Sequence, residues 1–505
     1  MFASRASVIT ALLVLFEGYR LALRVLVVLM SAHFVTTTIS YLKRHRTPVV
    51  PKVPEEWPPV TVQLPMRNEL YAAERVIRAA AALDYPKDKL EIQILDDSDD
   101  QTVEVTKRVA AELRAQGFRV NELRRSDPSG YKAGALLMAF GGSTGEFLAV
   151  FDADFVPAPD FLKRTIPYFH DPKVGMVQGR WDHLNRNESW FTALQARVLD
   201  GLMVVEQTAK SAAEVPLQFN GTAGVFRKKA IADAGGWTFD SLTEDFDLSL
   251  RAVLAGWKLV HLPEVSVPSE LPPTLGLFRV QQRRWALGTA QLLRKRLGEV
   301  LSAPLPFWSR LALAFQLCRH FGYPLLLIMV ATVPLTTFGH VRTLVTYGVV
   351  NSIVLGIAIA SVAFQHAVAQ RALGRSVWPA ILLSPLPIAL AIGLAPTYTV
   401  ALYYGLRDRA GAFHRTPKMS RTPKPGEPLY RATRSVLVVP EIAVGLCYGA
   451  FAAAAVRADL LPESVFFAFI AGAYLWVGFG SLHVSAVSHP GAGARPEPFA
   501  EGSTP

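Results

Sequence analysis

The spacing of hydrophobic positions divides the chain into stretches of different character. Residues 7–41 are largely apolar, interrupted by Glu17, Arg20 and Arg24. They fit one tilted span near 21–41 behind a short interfacial piece, or two spans. The stretch is too long for a cleaved leader, and Lys43-Arg44-His45-Arg46 follow without a small-residue cleavage site, so a retained anchor over 1–42 is expected. Over 58–300 the period shortens and alternates. Runs suited to strands (Val60–Leu64, Glu91–Leu95, Phe147–Phe151, Val174–Gln178) alternate with helical patterns at Ala72–Leu83, Val103–Arg114 and Ala133–Phe140. That order predicts an α/β unit with a mostly parallel sheet covered on both faces. Its ligands should gather at the carboxyl ends of the strands.

Beyond residue 310 the chain turns apolar again. Phe321–Phe338, Leu344–Phe364, Val436–Val456 and Ser464–Leu482 each approach the ~20 residues a membrane helix needs. Trp378–Tyr404 is equally apolar but carries Pro379, Pro385, Pro387 and Pro396, which predicts a broken, membrane-embedded segment. The expected organisation is an anchor over 1–42, a soluble domain over 58–300, a membrane region over 305–485 and a disordered tail over 488–505.

Charge fixes the expected orientation. The loop 405–435 holds Arg407, Arg409, Arg415, Lys418, Arg421, Lys424, Arg431 and Arg434 against Asp408 and Glu427, which places it in the cytoplasm. If residues 43–310 are cytoplasmic too, an even number of crossings must lie between 310 and 405, yet three apolar runs lie there. The proline-broken segment is therefore expected to re-enter, lie at the interface or form a tight hairpin.

Composition agrees with a membrane chain. Of 505 residues 51% are hydrophobic and only 18% charged, below the ~25% usual for soluble chains. The excess of 52 Lys+Arg over 41 Asp+Glu suits anionic lipid or a phosphorylated substrate. Two cysteines, Cys318 and Cys447, exclude a disulfide framework and a cysteine-rich zinc module. No phosphate-binding Gly-rich loop with Lys-Ser/Thr and no serine-nucleophile elbow is present. No basic-aromatic nucleic-acid module lies outside the membrane-proximal helix, so nucleic acid is not an expected partner.

The candidate chemistry is acidic and lies at strand ends. Asp152-Ala153-Asp154 follows a strand, so both carboxylates can face one cation of the Mg²⁺ or Mn²⁺ type; a solvated turn is the plainer alternative. Asp96-Asp97-Ser98-Asp99-Asp100 follows another strand and can grip a base, a ribose or a metal, or cap the next helix. Thr243-Glu244-Asp245 opens an amphipathic helix, where a carboxylate either caps or serves as a general base. Gln281-Gln282-Arg283-Arg284-Trp285 offers a phosphate-binding arginine and a flat face for a sugar ring, or lies on the membrane surface. With Lys132 between the acidic pairs, the set makes a coherent phosphosugar site.

Together with Pro65-Met66-Arg67-Asn68-Glu69 and Gly130-Tyr131-Lys132-Ala133-Gly134-Ala135-Leu136, these motifs resemble those of the inverting, membrane-embedded glycosyltransferases of family 2. Phe219-Asn220-Gly221-Thr222-Ala223-Gly224 and Ser269-Glu270-Leu271-Pro272 are most similar to the cellulose synthase-like mannan and glucan synthases of plants. The resemblance covers about residues 60–300; the membrane half is similar in layout. Phe413-His414-Arg415-Thr416-Pro417-Lys418 is loosely similar to the gating loop of bacterial cellulose synthase, with different intervening residues. No cyclic-dinucleotide domain is expected after the last span.

The resemblance implies a GT-A-like nucleotide-sugar-binding domain inserted between transmembrane helices. It implies that Glu69, Asp96 or Asp97, and Lys132 hold the nucleotide, with Arg284 near the diphosphate. Asp152 and Asp154 would organise the metal and diphosphate, and Asp245 would deprotonate the acceptor hydroxyl. Phe219, Asn220, Gly221, Thr222, Gln281 and Trp285 would cradle the acceptor. The implied activity moves a hexose from GDP-mannose or UDP-glucose to a growing β-linked mannan, glucomannan or glucan and passes the chain through the membrane. A non-processive transferase acting on a lipid is the alternative, and a non-enzymatic membrane protein with a degraded domain is the third. The implied setting is a multi-pass protein of a bacterial inner or Golgi-type membrane, with its catalytic domain cytoplasmic and its oligomeric state open.

Overall fold

A computed structural model of the chain describes residues 2–44, 51–338, 347–407 and 435–482. The alternating runs become strands β1 (Val60–Met66), β2 (Leu90–Asp96), β3 (Arg119–Leu123), β4 (Phe147–Val150), β5 (Val174–His183), β6 (Gly224–Arg227) and β7 (Lys258–Ser269). They form one sheet in the order β3-β2-β1-β4-β6-β5-β7. β6 runs antiparallel to β4 and β5, and the other pairings are parallel. The sheet is therefore mixed and mostly parallel, as the strand–helix alternation predicts.

Register decides what meets at the carboxyl edge. Met66 stands opposite Asp96, and Gln63 opposite Val150. The segments after β1, β2 and β4 thus emerge side by side. Because β6 starts at Gly224 opposite Val150, the loop before it arrives at the same edge. Both faces are covered. Val62, Leu64, Ile92 and Ile94 bury one face with Val76, Ile77 and Val109 of the helices Ala73–Ala81 and Thr102–Ala115. Leu148, Val150 and Met176 bury the other with Leu136 and Leu248.

Five described helices are long and apolar enough to cross a bilayer: Glu17–Lys43, Phe307–Leu335, Val349–Ala372, Val438–Arg457 and Leu461–Gly480. The N-terminal apolar stretch is one continuous helix, Phe2–Arg44, whose span-length apolar window is Glu17–Lys43. The proline-rich segment becomes helices Trp378–Leu382, Pro385–Gly393 and Ala395–Leu406, bent by 47° at residue 394. The loop motif Phe413–Lys418 and the tail from 488 lie outside the described residues.

The domain is fastened to these helices by buried polar contacts. The long helix Leu275–Ser302 carries Arg279, whose guanidinium pairs with both Glu441 oxygens at 2.8 and 2.6 Å and with Ser481 Oγ at 2.9 Å. Buried Asp200 accepts from Arg186, Gln370 and Arg375. Gly405 packs where a Cβ would lie 2.6 Å from the Leu287 carbonyl oxygen, so the last turn of the broken segment touches the domain backbone directly.

Candidate active site

The sheet edge and the membrane helices enclose a cavity of about 850 Å³. Glu69, Asp97, Lys132, Asp152, Asp154 and Asp245 line it, and so do Asn220, Gly221, Gln281, Arg284 and Trp285. Residues scattered over some 200 positions of sequence are thereby brought to one wall.

The centre is a cation held by backbone and carboxylate. Lys132, in the first turn of the helix Tyr131–Gly142, donates to Asp152 Oδ1 at 2.5 Å and to the Gly221 carbonyl at 2.7 Å. Burial works against its charge, but Asp152, Glu244 and Asp245 outweigh it and raise the lysine pKa. Gly221 has φ +87°, and a Cβ there would stand 2.9 Å from Asp245 Oδ2, so both conformation and space require glycine. Asp245 lies in the first turn of the helix Glu244–Leu254. Burial first, then the neighbouring Glu244 carboxylate, pushes its pKa up to about 7. Glu244 is raised too, chiefly by burial. A carboxyl poised near neutrality within a polar cavity can accept a proton.

Three residues expected at the site stand off the cavity wall. Asp96 is 1% exposed and off the cavity wall; it accepts from Thr106 Oγ1, Ser98 N–H and Arg124, and so anchors the loop whose next residue, Asp97, does face the cavity. Phe219 is fully buried against Phe226, ring centroids 4.8 Å apart, and belongs to the core. Thr222 is buried as well, and its hydroxyl accepts from the Asp152 N–H at 2.9 Å, holding the metal-candidate loop. Asp100 accepts from Thr102 N–H just ahead of the next helix, whose N-cap position is Gln101. Trp285 faces the cavity rather than an outer surface.

Other groups at the site escape pattern reasoning. Asp97 is held by Arg125, whose guanidinium bonds both carboxylate oxygens. A basic pair, Arg124-Arg125, just after β3 is the signal that could have found it. Trp181 and His183 also line the cavity and carry no sequence mark of doing so.

For a divalent cation the donor set is Asp152 and Asp154. No group of three or more His, Cys, Asp or Glu suited to a metal exists among the described residues. Two carboxylates with open positions fit Mg²⁺ or Mn²⁺, which commonly takes its remaining ligands from water and substrate phosphates. They do not fit a structural zinc.

Residues 147–404 match glycosyl transferase family group 2, and residues 61–232 match glycosyl transferase family 2. The first match covers half of the chain. The chain belongs to glycosyl transferase family group 2. Its mixed α/β sheet is the nucleotide-sugar-binding, GT-A-like domain of that family. Glucomannan 4-beta-mannosyltransferase 2 of Arabidopsis thaliana is 42% identical over 266 residues, 52% of this chain and 50% of that protein. Glucomannan 4-beta-mannosyltransferase 1 of Oryza sativa subsp. japonica is 41% identical over 266 residues, 52% of this chain and 51% of its own. The match thus spans about half the length of these curated relatives. A solved structure of the mannosyltransferase PcManGT from Pyrobaculum calidifontis, in complex with GDP-Man and Mn2+, is 23% identical with a TM-score of 0.47, covering 77% of this chain and 100% of that one. The resemblance to cellulose synthase-like transferases therefore holds at the level of the family.

Proposed function

We propose that this family member is an inverting hexosyltransferase of the membrane. It would move a hexose from a nucleotide sugar to the end of a β-linked polysaccharide and pass the product through its own helices. The observation that carries this reading is one continuous cavity. Its wall includes Asp97, Asp152, Asp245 and Trp285 of the domain together with Gln365, His366 and Tyr398 of the membrane segments. A lone lipid acceptor would not need such a passage.

Inversion requires one base on the acceptor side and a stabilised leaving group on the other. In this reading Asp245 takes the proton of an acceptor hydroxyl as its oxygen bonds the anomeric carbon. The bond from that carbon to the diphosphate oxygen breaks, and the nucleoside diphosphate leaves with the electron pair. Lys132 and Arg284 face the departing charge, and fixed cations in a partly dry site stabilise it well. A Mg²⁺ or Mn²⁺ on Asp152 and Asp154 would add charge neutralisation when bound. Asp97 and Glu69 line the nucleotide end, and the Trp285 indole offers a face to the acceptor ring.

The donor follows from the relatives' names. Both are mannosyltransferases, so GDP-mannose is proposed first and UDP-glucose second. The test is a panel of labelled sugar nucleotides on membranes bearing the full chain, with product length read on a gel. Long β-linked product from one donor supports the proposal. A short lipid-soluble product would replace it with a non-processive transferase.

A further inference from the structure

Two polar side chains on the cavity wall have no hydrogen-bond partner among the described residues. Trp181 and His183 are two residues apart on β5, so they share a face, and both line the cavity. The Trp181 Nε1–H and both His183 ring nitrogens are buried without a hydrogen bond, and His183 is only 7% exposed. Asp182 between them pairs instead with Arg180 and Arg375. Phe155 packs edge-on against Trp181, ring centroids 5.3 Å apart, and fixes the plane of the indole. Leaving a buried polar group without a hydrogen bond is costly. Adjacent orphans on one wall are therefore completed by something that enters the cavity.

Sheet order says what part of a substrate reaches them. β5 lies two strands from β4 and four from β2, roughly 10 and 19 Å at ~4.8 Å per strand. The carboxylates read as nucleotide-binding follow β1 and β2, and Asp152 follows β4. Trp181 and His183 therefore lie past the reacting centre, on the side away from the nucleotide.

Their chemistry narrows the ligand. Burial holds the His183 pKa at about 4 despite nearby Asp200 and Asp182, with Arg180 and Arg186 adding to the effect, so the ring is neutral at pH 7. A neutral imidazole offers one donor and one acceptor, and the indole offers one donor. Uncharged, mixed donors and acceptors suit sugar hydroxyls. A diphosphate would require cations.

We infer that Trp181 and His183 form an acceptor subsite, binding hydroxyls of a sugar set back from the reacting end. The inference rests on the polysaccharide-acceptor reading above and adds a second contact beyond Trp285.

The test is calorimetric binding of β-1,4-linked mannotetraose, and of cellotetraose in parallel, to the full chain in lipid nanodiscs without donor. Trp181→Phe and His183→Phe should each weaken binding of the preferred tetrasaccharide at least tenfold. His183→Phe replaces unsatisfied nitrogens by an apolar ring, so its melting temperature should hold or rise. Unchanged affinity in both variants, or no tetrasaccharide binding by the wild type, overturns the subsite and leaves water as the cavity's occupant there. Weaker binding accompanied by a lower melting temperature in both variants also overturns it, in favour of a structural role. Because binding needs no turnover, the two readings separate. A wild type that binds tetrasaccharide yet consumes no sugar nucleotide sinks the transferase proposal alone. Active variants with wild-type affinity sink the subsite alone.

Discussion

The Gly221 backbone separates Lys132 from Asp245: its carbonyl accepts from Lys132 Nζ at 2.7 Å, while its Cα leaves no room for a Cβ beside Asp245 Oδ2. The lysine that steadies Asp152 and the carboxylate proposed as base are thus positioned by one residue. Electrostatic attraction between them follows: Asp245 helps raise the lysine pKa, while Lys132 works against the rise that burial and Glu244 give Asp245.

Asp245 should set the acid limb of activity. With its pKa pushed up to about 7, the carboxyl is protonated below that pH and cannot act as a base. The kcat/KM of the wild type should fall below about pH 7 with the slope of one proton. Asp245→Asn should lower transfer by ~10²–10⁴-fold, lose that limb and still bind nucleoside diphosphate. Stability carries the opposite sign. A carboxyl raised in the folded state contributes stability below the ordinary carboxylate range and loses it as pH rises through about 7. The asparagine variant should therefore gain melting temperature at pH 8 relative to wild type, and not at pH 3. Near-normal polymer synthesis by the variant would remove Asp245 from the chemistry.

A divalent cation should bind only when Asp152 and Asp154 are both present. Either Asp→Asn variant is expected to lose the Mn²⁺ electron-paramagnetic signal measured with nucleoside diphosphate, and to lose transfer. Chelator should stop the wild type, and Mn²⁺ or Mg²⁺ should restore it. Full activity in excess chelator would refute a metal role.

Much of this site was legible in the sequence, for a physical reason that also marks where legibility ends. Asp152 and Asp154 obey a period of two after an apolar run, and Lys132 opens a helix; both are local facts. Asp96 and Asp97 are adjacent, so a strand end must turn one inward and one outward, and only the pairing of β2 with β1 decides which. Phe219 shares a motif with Asn220 and Gly221, but nearness in sequence does not place a side chain on the same wall. Its ring faces Phe226. Strands β3, β6 and β7 depend on partners far along the chain and carry weak patterns. Trp181 and His183 become noticeable only when their lack of partners is counted in three dimensions.

Trp285→Ala should reduce elongation more than donor hydrolysis. The indole lines the cavity on the helix Leu275–Ser302, and the hydroxyl of Thr289 one turn later donates to its carbonyl at 2.9 Å. Loss of one stacking face is worth ~0.5–1.5 kcal/mol by analogy with other aromatic contacts, or up to about a tenfold change. Equal loss of both reactions would make the tryptophan a structural element instead.

The Arg279–Glu441 pair should hold that helix against the membrane bundle. Both side chains are buried, at 4% and 1% exposure. Removing one partner of such a pair strands the other charge, at a cost of about 3–5 kcal/mol. Arg279→Met should therefore melt well below the wild type in nanodiscs, and Arg279→Met with Glu441→Leu should recover most of the difference. A single variant as stable as the wild type would show the pair to be dispensable.

The broken segment should not cross the membrane. Its approach and its exit both meet the catalytic domain: Arg375 pairs with Asp182 and Asp200 just before it, and Gly405 lies against Leu287 at its end. An element that starts and finishes on one face of the protein returns to the side it left. Glu441 and Ser481 both bond Arg279, so the last two spans also start and finish on the domain side and make their turn near Asp459 on the far side. With the proposed donor drawn from the cytoplasm the domain should face that side, and the basic residues of 405–435 favour the same compartment. The check is labelling by a membrane-impermeant thiol reagent in a chain lacking Cys318 and Cys447. Cysteines replace Gln116 and Asp459, which are exposed, and Ser420 of the basic loop. Gln116→Cys and Ser420→Cys should react only from the cytoplasmic side, and Asp459→Cys only from the other. Reaction of Ser420→Cys from outside would mean that residues 378–406 cross after all, and the shared-side arrangement would fall with it.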